Sequence, residues 1–241
     1  MFIQKHCSLL FVALVFSLLF ACQPSNNDYT RVFGESYSSA EKYLFENQWI
    51  YDSLIYYGVD PDLSVSIIFP ELIRYSQIRN SIETFGLEVL YVQYGEKYAN
   101  FSIGRFQMKP GFAERIEKDW ILLSMSMDKG IYQINQLDTN NTSVSRKLRL
   151  ERLKDEKWQV KYLAAFVKIM VFRFRLQENG IKTLKFLSSA YNYGYWKDER
   201  DIIRSGNECT FYTGYIKPDS CYCYKDISCY YFNRLKGVFC K

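Results

Sequence analysis

The segment from Trp158 to Phe174 constrains the fold more than any other part of the sequence, because it is apolar on nearly all sides at helical spacing. A helix of this kind is stable in water only when other elements cover its faces. Lys168, Arg173 and Arg175 argue against a membrane span. The segment therefore predicts a central helix surrounded by other helices.

Helical patterns on both sides of this segment extend the prediction to most of the chain. A first helix is expected from Ser38 or Ser39 to Ile55, with Gly58 ending it. Asp60-Pro61 then supplies an N-cap and a proline at the first helical position, which predicts a second helix from Pro61. Further helical patterns begin at Ser81, Pro110, Lys147 and Ile181. With 241 residues, 48% of them hydrophobic, the chain can bury the core of one mainly α domain.

The N-terminus has the pattern of an export signal. Lys5 precedes an apolar run from Leu9 to Phe20, and Ala21-Cys22 follows. This ending resembles a bacterial lipobox, in which Cys22 is lipidated, although an ordinary signal peptide or a short anchor helix are alternatives. We expect residues 1–22 to be a lipoprotein signal peptide and residues 23–37 a flexible tether. The expected location is the cell envelope, anchored by lipid to a bacterial membrane and facing the periplasm.

The mature chain would have no histidine, since His6 is the only one and lies in the expected signal peptide. This excludes Ser-His-Asp triads, Cys-His dyads and zinc sites that contain histidine. Carboxylate, tyrosine, lysine or cysteine chemistry remains. We expect no metal and no cofactor.

The charge pattern bears on partners. The net charge is +5, from 31 basic and 26 acidic residues spread fairly evenly, and no basic block is interleaved with aromatic residues. Such a chain is attracted weakly to anionic surfaces without the footprint of a nucleic-acid-binding protein. No nucleic-acid partner is expected, and the sequence identifies no protein partner.

The last part of the chain differs in composition from the rest. Five cysteines crowd into residues 196–241: Cys209, Cys221, Cys223, Cys229 and Cys240. In an oxidising envelope they would form disulfides; free thiols and a metal site are the alternatives, although Cys221 and Cys223 are spaced poorly for zinc. Short alternating runs predict a small irregular or β appendage that is rich in cysteine and tyrosine.

Three segments carry a resemblance when they are taken in order. The helix expected from Pro61 contains Glu71 in Pro-Glu-Leu, Ser102–Pro110 contains a Gly-x-x-Gln motif, and Ser189–Gly194 contains Ala-Tyr-Asn-x-Gly. Together they resemble the lytic transglycosylases, which cleave peptidoglycan and have a lysozyme-like helical fold. The resemblance covers about residues 45–195, and the domain itself is expected to span residues 38–195.

The resemblance implies a function and roles for particular residues. Lytic transglycosylases cleave the bond between muramyl and glucosaminyl residues with one glutamate, which acts as acid and then as base and gives a 1,6-anhydro product. Glu71 would be that catalytic residue, with Ile67 and Ile68 available to shield it from water. The implied substrate-binding residues are Gly104, Phe106, Gln107, Met108, Tyr191 and Asn192.

The chain departs from the family pattern around Glu71. Leu72 stands where the family has serine, Pro70 removes a helical hydrogen bond, and Arg74 would favour the charged carboxylate. The gap from Glu71 to Gly104 is also longer than is usual in the family.

These departures leave two alternatives open. One is a hydrolytic muramidase that would use Asp52 or Glu83 to activate water. The other is a catalytically weak, peptidoglycan-binding scaffold lipoprotein. Outside the motifs, Lys109 and Arg105 are candidates for contact with carboxylates of stem peptides. The aromatic residues of the tail, Tyr222, Tyr224, Tyr230, Tyr231 and Phe232, either stack on sugars or pack internally.

Overall fold

The computed structural model describes residues 27–77, 84–126, 142–177, 180–213 and 221–237. These ranges form a helical protein, as expected, and contain no β-strand. The helices are α1 (Tyr29–Phe33), α2 (Glu35–Glu46), α3 (Trp49–Tyr56), α4 (Pro61–Gln77), α5 (Thr84–Tyr94), α6 (Pro110–Ser126), α7 (Ser143–Lys154), α8 (Glu156–Phe174), α9 (Ile181–Tyr193), α10 (Glu199–Gly206) and α11 (Tyr224–Leu235).

Helix α8 is the central helix that the sequence predicts. The Asp155 carboxylate caps it by accepting from the Lys157 amide at 2.8 Å, which separates it from α7. Its buried residues include Val160, Leu163 and Phe166, and helices α3, α4, α6 and α7 pack around it. No helix of the described ranges combines the length and apolar character that a membrane crossing requires.

Helix α4 begins where Asp60-Pro61 predicts it. The Asp60 carboxylate accepts from the Leu63 amide at 3.0 Å, and the helix then continues through Pro70 to Gln77. Pro70 has no N–H to donate to the preceding turn. In that turn the Ile67 carbonyl accepts a hydrogen bond of 2.9 Å from the Tyr224 hydroxyl of α11. The C-terminal helix is thereby joined to the turn that precedes Glu71.

The N-terminal part differs from the prediction in two ways. The expected first helix is divided at Asn47, whose side chain donates to the Tyr43 carbonyl and accepts from the Trp49 indole. Residues 29–37, expected to be tether, form α1 and, after Gly34, the start of α2, and they bury Tyr29, Phe33 and Tyr37. Apolar burial explains the error, because three aromatic rings at four-residue spacing form a core face. The expected signal peptide, Cys22 and residues 23–26 lie outside the described residues.

The C-terminal part is also more regular than expected. Its described residues form α10 and α11 and a single pairing of Phe211 with Tyr222, instead of a β or irregular appendage. Helix α11 packs against α4 and α9 and is part of the core. A disulfide joins Cys209 to Cys223, whereas Cys221 and Cys229 are free thiols. Cys240 lies outside the described residues.

A buried polar cluster connects helices α5, α6, α7 and α8. Arg149 and Glu117 form an ion pair of 2.6 Å in which both side chains are 1% exposed. The Tyr162 hydroxyl donates to the other Glu117 oxygen at 2.6 Å, and Arg149 donates to the Tyr91 hydroxyl at 2.7 Å. These residues come from α5, α6, α7 and α8, so the cluster holds four helices together.

Candidate active site

A cavity of about 190 Å³ brings the three motifs together. Helix α4 forms one side, the segment from Asn100 to Lys109 and the start of α6 form a second, and the end of α9 closes the third. The lining residues are Glu71, Arg74, Asn100, Ser102, Gln107, Met108, Lys109, Phe112, Tyr191, Asn192, Tyr193, Gly194 and Trp196. Among these described residues, Glu71 is the single carboxylate.

Glu71 is buried although it borders the cavity, since it is only 5% exposed. Its Oε2 atom has no hydrogen-bond partner within the described part of the chain. The nearest cation is Arg74, whose Nη1 atom lies 3.6 Å from Oε2. This distance is longer than a hydrogen bond, so the contact is a stretched ion pair.

Burial raises the pKa of Glu71 from 4.5 to about 7, and the positive charges of Arg74 and Lys109 oppose that rise. The carboxyl therefore carries a proton in a substantial fraction of molecules near neutral pH. A group with this pKa can donate a proton and later accept one, which is the requirement for a single acid and base.

The Gly-x-x-Gln segment is a tight turn. Ile103 and Met108 exchange backbone hydrogen bonds of 2.9 and 3.1 Å, and Gln107 adopts a φ of +50° between them. The side-chain amide nitrogen of Gln107 donates to the Gly104 carbonyl at 2.7 Å. The turn presents Gln107 and Met108 to the cavity.

Gly104 and Phe106, for which the resemblance implies substrate binding, are not among the residues that line the cavity. Gly104 has a φ of +68°, and a Cβ there would lie 1.5 Å from the Gln159 side-chain nitrogen. Gln159 also accepts from the Phe106 amide at 2.9 Å. Phe106 itself is fully buried in the core. The glycine and the phenylalanine thus fix the turn on α8.

Tyr191 connects the third motif to the second. Its hydroxyl donates to the Phe106 carbonyl at 2.7 Å, and its ring packs on Phe112 and Phe166. Burial raises the pKa of the Tyr191 hydroxyl, and the nearby charge of Glu71 adds to the rise. Tyr191 and Asn192, for which the resemblance implies substrate binding, both line the cavity.

The flanking cations have different positions. Lys109 is exposed and lines the cavity, where its charge acts on Glu71. Arg105, also predicted to meet substrate carboxylates, lies elsewhere: its Nε donates to Glu156 at 2.6 Å, and its guanidinium lies over the rings of Tyr43 and Tyr75. Arg105 is thus paired with the Glu156 carboxylate, which lies 51 residues away in the sequence, so the local sequence could not reveal this contact.

Trp196 lines the cavity but was not predicted. The Arg115 guanidinium lies 4.2 Å from its ring centroid and is itself bound to Glu96 by two hydrogen bonds of 2.7 and 2.8 Å. A Cβ on Gly194 would lie 2.9 Å from the indole, so the glycine of the third motif is required beside this ring. The signal in the sequence is a tryptophan two residues after that glycine.

The aromatic residues of the tail pack internally, and none of them lines the cavity. Tyr231 stacks on Phe69 with ring centroids 3.6 Å apart, and Tyr230 donates to Asp28 at 2.8 Å. Tyr224 lies under the site, between Tyr191 and Phe211. These aromatic residues of the tail therefore pack against other rings and do not form the cavity wall.

Neither carboxylate proposed for water activation is among the described residues that line the cavity. Asp52 is exposed on α3 and does not line the cavity. Glu83 lies outside the described residues. Within the described ranges, no group of three or more histidine, cysteine or acidic side chains is placed to hold a metal ion.

The chain matches no protein-family model, and no curated protein and no solved structure is significantly similar to it.

Proposed function

We propose that the protein is a peptidoglycan lytic transglycosylase with a lysozyme-like helical domain, in which Glu71 is the single acid and base. The observation that carries the proposal is that Glu71 is buried, has a pKa of about 7 and is the single carboxylate among the described residues that line the cavity. Cleavage of a glycoside by a water-activating mechanism needs a second carboxylate some distance away.

The proposed reaction has two proton transfers at Glu71. The protonated carboxyl gives its proton to the bridging oxygen as the bond from that oxygen to the muramyl C1 breaks, with help from the 2-acetamido group. The carboxylate then takes the proton of the muramyl 6-hydroxyl as the oxygen of that hydroxyl bonds to C1. The products are a shortened strand and a 1,6-anhydro-muramyl end, and no water is consumed.

The remaining lining residues supply binding. Gln107, Met108, Tyr191 and Asn192 lie around Glu71 and offer amide, apolar and aromatic groups to a glycan strand. Lys109 is placed to meet an anionic group on the same strand. Gly104 and Phe106 contribute by shaping the turn that carries Gln107.

The test is mass spectrometry of purified sacculi digested with the full chain in detergent. We expect 1,6-anhydro-muramyl ends, and we expect them to disappear with Glu71→Gln. Asp52→Asn is the matched control, because Asp52 is an exposed acid outside the cavity and its loss should leave the products unchanged.

Other products would identify an alternative. Reducing muramyl ends that need Asp52 or Glu83 would establish a hydrolytic muramidase. Retained binding to sacculi with no cleavage by the unmodified chain would establish a scaffold, for which the charge of Arg74 beside Glu71 is the favouring observation.

We propose a location for this activity from the N-terminal sequence. Lipid on Cys22 would hold the domain at a bacterial membrane, facing the periplasm, next to its substrate. Incorporation of labelled fatty acid that is lost with Cys22→Ala would support this, and incorporation that persists would contradict it.

A further inference from the structure

The segment of residues 209–212, here called the stapled segment, is fixed to the start of α11 in two ways. The Cys209–Cys223 disulfide closes one end. Phe211 and Tyr222 exchange backbone hydrogen bonds of 3.0 and 2.8 Å. Because both attachments lie within three residues of the Phe211 ring, that ring has a fixed position, and it is 3% exposed.

The stapled segment contacts the active site through Arg74. The guanidinium carbon of Arg74 lies 5.2 Å from the ring centroid of Phe211 and 5.5 Å from that of Tyr212. Both distances are within the range of a cation–π interaction. One cation is thus shared between two aromatic rings and one carboxylate.

The geometry of the Glu71–Arg74 pair shows the result of this sharing. Residues three apart on a helix can bring such side chains into direct contact, and a charge-assisted hydrogen bond of this kind measures about 2.7–2.9 Å. The observed separation is 3.6 Å, and Glu71 Oε2 has no hydrogen-bond partner in the described part of the chain. The two side chains are close to each other but do not form a direct hydrogen bond.

The other groups that face Glu71 do not close the gap. Lys109 acts from the turn that follows the second motif, and its side chain is exposed. Tyr191 on α9 and Tyr224 on α11 are near enough to respond to the Glu71 charge, but their hydroxyls donate to the carbonyls of Phe106 and Ile67. Among these neighbouring groups, Arg74 therefore has the largest effect on the ionisation of Glu71, and that effect opposes the rise that burial causes in the pKa.

We propose that Phe211 and Tyr212 are positioning residues, which hold the Arg74 guanidinium on their rings and prevent it from closing onto Glu71. The segment acts through Arg74 and touches neither the scissile bond nor the reacting atoms. Its consequence for turnover rests on the proposed function, whereas its consequence for the ionisation of Glu71 does not.

The consequence has a definite sign. When the rings are removed, the guanidinium closes onto the carboxylate, and an adjacent opposite charge favours the ionised form. The protonated fraction of Glu71 near neutral pH then falls. If the proposed function holds, the alkaline limb of the pH–rate profile moves to lower pH by the same amount, because the acid form is the one that starts the reaction.

The test is a carbon-13 NMR titration of the full chain in detergent, labelled at the glutamate carboxyl carbon, with the Glu71 signal assigned by its loss in Glu71→Gln. Phe211→Leu with Tyr212→Leu should lower the Glu71 midpoint by roughly one pH unit, the lower end of the effect of a close opposite charge. Tyr212→Leu alone, at a partly exposed position, should give a smaller shift in the same direction and serves if the double variant does not fold.

Two controls separate positioning from general damage. Tyr94→Leu with Tyr98→Leu removes an exposed aromatic pair that does not line the site, and it should leave the midpoint unchanged. In an Arg74→Met background, loss of the two rings should no longer move the midpoint downward.

The outcomes are distinct. A lower midpoint that depends on Arg74 supports the proposal even if sacculi are not cleaved, in which case the proposed function alone fails. An unchanged or higher midpoint, or the same shift without Arg74, overturns the proposal whatever the products of digestion are.

Discussion

Two buried glutamates, Glu71 and Glu117, lie in contrasting environments. Both are at most 5% exposed, and both have an arginine within 4 Å. Glu117 accepts from Arg149 at 2.6 Å on one oxygen and from the Tyr162 hydroxyl at 2.6 Å on the other. Glu71 has one stretched contact of 3.6 Å and borders a cavity.

The difference shows that burial alone does not mark a chemical site. Where hydrogen bonds satisfy both oxygens away from the cavity, as at Glu117, a buried carboxylate holds helices together. Where burial is combined with an unsatisfied oxygen beside a cavity, the same group keeps its proton at higher pH. Glu117 is therefore interpreted as structural and Glu71 as chemical.

The largest effect is expected at the structural glutamate. Arg149→Met leaves Glu117 buried without its closest cation, which typically costs about 3–5 kcal/mol of folding free energy. Unfolding in urea measures the loss. Lys154→Met, which removes an exposed partner of Glu88 from the same helix, should cost less than about 1 kcal/mol. Equal losses of folding free energy in the two variants would mean that the buried cluster contributes no more to stability than an exposed ion pair does.

The second effect is a gain in stability, in contrast to the loss expected for Arg149→Met, and it is expected when Glu71 is replaced. Between pH 4.5 and about 7 the folded chain holds a proton that the unfolded chain has lost, so this group's contribution to stability falls as the pH rises through that window. A pKa rise of this size corresponds to a loss of about 3 kcal/mol of folding free energy above pH 7. Glu71→Gln should therefore stabilise the protein at pH 8 and have little effect at pH 4.

Urea unfolding at the two pH values, with Glu117→Gln as the matched variant, measures this prediction. Glu117→Gln should destabilise at pH 8, because it weakens the ion pair with Arg149. If both glutamine variants destabilise at pH 8, the two carboxylates do not differ as described.

Much of the fold was predictable because it depends on local patterns. The apolar pattern from Trp158 to Phe174 predicted the central helix, and Asp60-Pro61 predicted the start of α4. Both signals are read within one turn or one face of a helix. The tether prediction failed for residues 29–37 because their partners, such as Tyr222 and Tyr230, lie almost 200 residues away.

The candidate site was predictable in part for the same reason. The resemblance implied that Glu71, Gln107 and Tyr191 serve one site, and all three line the same cavity. The motif could not show that the side chain of Gln159, a residue of α8, leaves no room for a Cβ at Gly104. Nor could it show the cation–π contacts of Arg74, since Phe211 and Tyr212 reach it only through the packing of the C-terminal part.

The third effect concerns Arg74, the cation beside Glu71. Arg74→Met removes the largest opposing influence on the Glu71 carboxyl, so the pKa of Glu71 should rise further above 7, by roughly one unit. The NMR titration of the carboxyl carbon measures it. The contrasting result, a pKa that falls or stays constant, would mean that Arg74 does not act on Glu71 despite its position.

The smallest effect is expected at Tyr191, for which Tyr162, the tyrosine bound to Glu117, is the comparison. Tyr191→Phe removes a hydrogen bond to the neutral Phe106 carbonyl, a loss of about 1 kcal/mol, whereas Tyr162→Phe removes one to the Glu117 carboxylate, about 1.5–3 kcal/mol. Unfolding in urea ranks them. If the site is as proposed, cleavage of sacculi should show the reverse order, because Tyr191 ties the turn that carries Gln107 to α9, and Tyr162 lies outside the cavity. Parallel losses of stability and cleavage in both variants would show that the hydrogen bond of Tyr191 serves folding alone.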